Sequence, residues 1–97
     1  MNTNQEDLLF KAMKSPIRRG IVSTLLRHNS SAAVFAAEYD IGVAAAMKHL
    51  KILEEARIIT RSKEGRTVVC RLNTGRLKDL RDWQDLVEVD WMDSFLL

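Results

Sequence analysis

The chain has one cysteine, one proline, two histidines and four glycines in 97 residues. A lone thiol, Cys70, cannot form an internal disulfide, which agrees with a reducing compartment. His28 and His49 are too few for the usual nitrogen and sulfur ligand sets, so no metal and no cofactor is expected. There is no phosphate-cradling glycine loop, no hydrolase elbow and no Ser/His/Asp arrangement that two histidines would support, which argues against an enzyme. No apolar run approaches the roughly 18 residues of a membrane span, and Glu6 and Asp7 stand where a signal peptide would be basic. A cytoplasmic protein without membrane partners is expected. With no repeat, no low-complexity tract and a single proline, one continuous domain, 1–97, is the natural reading.

What is present is an ordinary globular composition, 46% hydrophobic and 29% charged, in a chain small enough that its core gains from burying more apolar surface against a partner. The net charge of +2 hides a segregation. Residues 48–71 carry Lys48, Lys51, Arg57, Arg61, Lys63, Arg66 and Arg71 against Glu54, Glu55 and Glu64, whereas residues 76–97 are acidic. A basic stripe of this kind suits phosphate.

The periodicity is mostly helical. Leu8, Leu9 and Met13 mark a first helix, 8–14. Ser15 offers an N-cap oxygen and Pro16 a first helical position that needs no N–H, after which Ile17, Ile21, Val22, Leu25 and Leu26 form a core face. Residues 31–56 read as two helices joined by Tyr39-Asp40-Ile41-Gly42, the second burying Ala46, Leu50 and Leu53. The period then falls to 2, and the β-branched runs around Ser62–Arg66 read as a hairpin at 58–72. Asn73 caps a last helix, 74–97, in which Leu77, Leu80, Trp83, Val87, Trp91 and Phe95 recur every three or four residues. The fold class is mainly α with a small β-hairpin: a winged helix-turn-helix of about five helices plus a two-stranded wing. A helix is about as wide as the major groove of duplex DNA, and a basic hairpin reaches the flanking backbone.

These residues also carry a resemblance. SPIRRGIVSTLL (Ser15–Leu26) resembles the hallmark DPTRRxILxLL of the ArsR/SmtB transcriptional regulators, and AAMKHLKILEEARII (Ala45–Ile59) resembles their xAVSKHLKVLEEAGLI. EGRTVVCRLN (Glu64–Asn73) is similar to their wing ending EGRxxxYRLN, and RDWQDLVEVDW (Arg81–Trp91) to the WLxxYxxFW helix of a subgroup found beside SRPBCC-type proteins. The resemblance implies a prokaryotic, nucleoid-associated repressor that acts as a homodimer on a promoter palindrome in double-stranded DNA. By position it places base reading on Val43, Ala44, Met47 and Lys48, wing contacts on Arg61, Lys63 and Arg66, and phosphate attraction on Lys48, Lys51, Lys63 and Arg66. It places the dimer interface on the first and last helices, at Leu9, Met13, Leu80, Trp83, Val87, Trp91 and Phe95.

Several positions depart from the pattern. Val43, Ala44 and Met47 replace Gln or Ser; they touch thymine methyls but make no bidentate hydrogen bonds, so shape and phosphate contacts are expected to carry more of the recognition. Gly42 replaces a capping Ser or Thr, and Asp40 and Arg57 stand where glycine is usual. The family's metal-binding cysteines would fall at Ala32–Ala37, and its zinc ligands on a last helix that has no histidine here. Met47, Lys48 and His49 are consecutive on a helix, where successive side chains point about 100° apart and cannot share one ion. Cys70 reads as a structural strand thiol; a redox role would need a second thiol across the dimer or a small-molecule one. Arg18 and Arg19 are open between phosphate contact and a surface or intersubunit ion pair. Two rival functions stand beside the repressor: a protein-interaction module that has lost specific DNA binding, and a regulator switched by a ligand or thiol.

Overall fold

The structure, a computed structural model, describes residues 3–87. Helices α1 (Thr3–Met13) and α2 (Pro16–Leu25) are followed by a two-residue strand β1 (Ser30–Ser31), then α3 (Ala32–Glu38) and α4 (Val43–Glu55). Strands β2 (Ile59–Glu64) and β3 (Thr67–Leu72) form the hairpin, and a 3-10 turn at Thr74–Arg76 leads into α5 (Leu77–Val87). One cluster of buried side chains joins them: Leu9 and Met13 of α1, Ile21 and Val22 of α2, Phe35 of α3, Leu50 and Leu53 of α4, Ile58, Ile59 and Cys70 around the sheet, and Leu80 and Trp83 of α5.

The local signals act as chemistry requires. Ser15 has extended φ/ψ and its hydroxyl accepts from the Arg18 N–H at 3.3 Å, with Pro16 at the first helical position. Both helices of the helix-turn-helix end in a left-handed residue that is not glycine, Asp40 at φ 52° and Arg57 at φ 61°. Around each, the next N–H reaches back one full turn: Ile41 to the Ala36 carbonyl and Ile58 to the Leu53 carbonyl, both at 3.0 Å. This is the Schellman arrangement; it satisfies the terminal carbonyls and turns Ile58 inward, while a side chain in the left-handed region costs roughly 1–2 kcal/mol.

Four expectations change in detail. The first helix begins at Thr3, well before residue 8, because the polar residues Asn4–Asp7 continue its hydrogen bonding without an apolar stripe to announce it. The sheet has three strands in the order β1-β3-β2, not two, with Ser30 opposite Cys70 and Ser31 opposite Val69. The hairpin link is shorter than Ser62–Arg66: the strands pair out to Glu64 and Thr67, leaving Gly65 and Arg66 as a two-residue turn. Gly65 alone has positive φ, 66°, the pattern of a II′ turn. The last helix opens with the 3-10 turn, capped by Asn73 Oδ1 accepting from the Gly75 N–H at 3.2 Å, and α5 proper starts at Leu77.

Candidate nucleic-acid interface

Helix α4 buries Ala46, Leu50 and Leu53 completely, which fixes the direction of everything else on it. At about 100° per residue, Ala44, Lys48 and Lys51 point directly away from the core, Val43 and Met47 lie on one flank, and Ala45 and His49 on the other. The first of these flanks faces the wing. Val43 and Met47 border a groove of about 230 Å³ with Ser31, Ala32 and Ala33 on one side and Arg66, Thr67 and Val68 of the hairpin on the other. The helix start and the hairpin tip therefore frame one surface.

Its electrostatics are simpler than the sequence total suggests. Arg61 donates through Nε and Nη2 to the two carboxylate oxygens of Glu54, at 3.2 and 2.8 Å, and through Nη1 towards Met47 Sδ at 3.9 Å. The guanidinium holds the Glu54 carboxyl below its ordinary value, and the same contact raises Arg61 above its own. Arg61, expected as a wing contact to DNA, bridges β2 and α4 through Glu54. Arg71 is likewise engaged, with Glu64 at 3.1 Å and Ser62 Oγ at 2.9 Å. Lys48, Lys51, Lys63 and Arg66 are exposed and form no hydrogen bond or ion pair among the described residues; Val43 and Ala44 are exposed between them.

The opposite flank is tied to the body by Arg18. Its Nε and Nη2 donate to the Ala12 and Lys11 carbonyls at the end of α1, at 2.7 and 3.0 Å, and Nη1 meets His49 Nδ1 at 3.0 Å. An arginine only donates, so Nδ1 is the bare nitrogen of a neutral imidazole. Burial, then the Arg18 charge, holds His49 below its ordinary value. Arg19 caps the same helix end, donating to the Met13 and Lys14 carbonyls. Both arginines satisfy α1's terminal carbonyls.

Of the residues expected at a dimer interface, Leu9, Met13, Leu80 and Trp83 are buried within the single chain, at 2, 0, 0 and 6% exposure. They hold α1 and α5 to their own core because both helices need an intramolecular partner first. Leu9 and Trp83 nevertheless border an open groove between α1 and α5, about 320 Å³, with Phe10 and Leu86, the latter 70% exposed. Val87 closes α5, and Trp91 and Phe95 lie outside the described residues. Sequence reasoning missed Arg76, which is buried and donates to Asp79 at 2.6 Å and to the Ala56 carbonyl at 3.1 Å, docking the start of α5 on the end of α4. Cys70 is fully buried and burial pushes its thiol up. Among the described residues, no three of His, Cys, Asp and Glu gather in a way that would hold a metal ion, and no helix is long and apolar enough to cross a membrane.

Comparison with known proteins gives a consistent set. Over 75 residues, 77% of this chain and 83% of the relative, the chain is 32% identical to the transcriptional repressor SdpR of Bacillus subtilis (strain 168). The crystal structure of an ArsR family transcriptional regulator superposes with a TM-score of 0.77 at 26% identity, covering 91% of this chain and 95% of that one. That of a possible transcriptional regulator for arsenical resistance gives 0.73 at 29% identity, over 89% and 90%. No protein-family model matches the chain.

Proposed function

The chain belongs to the ArsR family of winged helix-turn-helix transcriptional regulators, and from that premise we propose that it is a sequence-specific DNA-binding repressor, acting as a homodimer that occupies a promoter palindrome. The observation that carries this reading is the set of four exposed cations without a partner among the described residues, Lys48 and Lys51 on α4 and Lys63 and Arg66 on the wing, with Arg66 lining the groove those two elements frame. Two copies would bring about eight such charges to the duplex, and each phosphate neutralised releases counterions, so affinity falls steeply with salt. In this reading α4 lies in the major groove and Arg66 reaches the adjacent backbone.

A homodimer suits both the palindrome and the open groove between α1 and α5, where Leu86 and Phe10 rather than the buried Leu80 and Met13 would meet the partner beside the charged Glu6, Lys78 and Asp82. The protein would work on the nucleoid in the cytoplasm, with neither catalysis nor a bound metal needed. The deciding experiment is a gel shift with Lys48→Ala combined with Arg66→Ala: operator binding should be lost while the dimer persists in sedimentation, and unchanged binding would refute this reading surface. The apolar start of α4 favours a rival reading as a protein-interaction module; undetectable affinity for random duplex at low salt would favour that rival.

A further inference from the structure

Residues 43–47, which open α4, carry no side chain able to make a bidentate hydrogen bond with a base edge. Val43, Ala44 and Ala45 are exposed and aliphatic, Ala46 is buried, and Met47 lies against the wing groove. His49, which has ring nitrogens, is turned away and held by Arg18. Val43 is nevertheless 56% exposed, with Arg66 on the far side of the same groove and Lys48 a turn further along the helix. The cations select the occupant: an apolar spot with Arg66 across its groove and Lys48 on the same helix meets a polyanion, and the apolar feature that a duplex presents in its major groove is the 5-methyl group of thymine.

We propose that this surface reads DNA by methyl contact, with Val43 the principal specificity-determining residue and thymine its ligand in each half-site; the proposal rests on the DNA-binding reading above. Ala44 and Met47 extend the contact along and beside Val43, and Lys48 supplies attraction to phosphate. Guanine and cytosine then go unselected by residues 43–47, since distinguishing them takes a donor or an acceptor, and Lys48 is the first such donor along the helix.

The test begins with duplexes enriched from a random pool by the purified chain, and resynthesises the best one with deoxyuridine for thymidine at single positions. Uracil keeps every hydrogen-bonding atom of thymine and lacks only the methyl group. Each contacted methyl should be worth about fourfold in affinity, from the transfer energy of one such group, so replacing the equivalent thymine in both half-sites should weaken binding about fifteenfold. In Val43→Ser, an exposed position whose change leaves the core intact, the loss at that thymine should disappear. Lys48→Ala should weaken the thymine and uracil duplexes alike. An enriched site that tolerates uracil throughout, that has no thymine in the half-site centres, or whose uracil penalty survives Val43→Ser would overturn the methyl reading alone. A pool yielding no enriched duplex would sink the DNA-binding reading together with it.

Discussion

Arg61 is where the sequence expectation and the structure give opposite experimental outcomes. As a wing residue touching DNA, its removal would reduce the salt dependence of binding and leave the fold alone. As a strut to Glu54, its removal should destabilise the fold and leave that dependence unchanged. The geometry sets the size. The pair is bidentate, which places it above ordinary surface ion pairs, but the side chains are 19% exposed for Arg61 and 40% for Glu54, so solvent screens part of it. Between the 0.2–1 kcal/mol of exposed pairs and the larger values of buried ones, a coupling of about 1 kcal/mol is expected. For a domain of this size that corresponds to roughly 4–8 °C in melting temperature.

The assay is a double-mutant cycle of Arg61→Ala and Glu54→Ala by thermal or urea unfolding at fixed protein concentration, with duplex affinity measured across a salt series. Because Glu54 is held below its ordinary 4.5, the coupling should be complete above that pH and vanish as pH falls through the lowered value. Lys63→Ala serves as the contrast: it should flatten the salt slope by about 0.9 for each phosphate that the variant no longer neutralises, with stability unchanged. Additivity within about 0.3 kcal/mol in the cycle, or a slope for Arg61→Ala that falls as it does for Lys63→Ala, would refute the strut.

Two further outcomes follow from the same geometry. His49, a base held below its ordinary 6.5, leaves the native state with fewer protons than the unfolded chain, so its contribution is whole above that pH and declines as pH falls below 6.5. Urea unfolding at successive pH values should show wild type losing stability relative to His49→Gln on acidification; parallel curves would mean that the Arg18 contact is immaterial. Arg57→Gly relieves a left-handed side chain at φ 61° and should raise stability by about 0.5–1 kcal/mol after allowing for glycine's greater freedom when unfolded. A lower melting temperature would show that the Arg57 side chain contributes more than its backbone costs.

The features legible in the sequence were those set by neighbours in the chain. Ser15-Pro16 announces the start of α2, the spacing of Ala46, Leu50 and Leu53 gives the buried side of α4, and Asp40 and Arg57 stand where glycine is usual, at the two positions where the structure has positive φ. What stayed hidden depends on residues far apart. A strand of only Ser30 and Ser31 is too short for any period to register, and exists because Val69 and Cys70 offer it an edge. The arginines were visible as charge but their partners were not: Arg18, Arg61 and Arg76 join positions 31, 7 and 20 residues away. For the dimer residues, an apolar stripe says that a face is covered without saying by what, and Leu80 and Trp83 turned out to be covered by their own chain.

The pairing of β1 with Val69 and Cys70 stops short of the last rungs, Lys63 opposite Val68 and Glu64 opposite Thr67. The hairpin thus stands out past its third strand as a stub rather than a long swaying arm, stiff at its root. Residues enter such a stub two at a time, one on each side, and every added pair lengthens it by about 3.3 Å. The overhang of this architecture is consequently quantised: evolution or an engineer can move Arg66 outward only in notches, each close to the spacing of one base pair along B-form DNA.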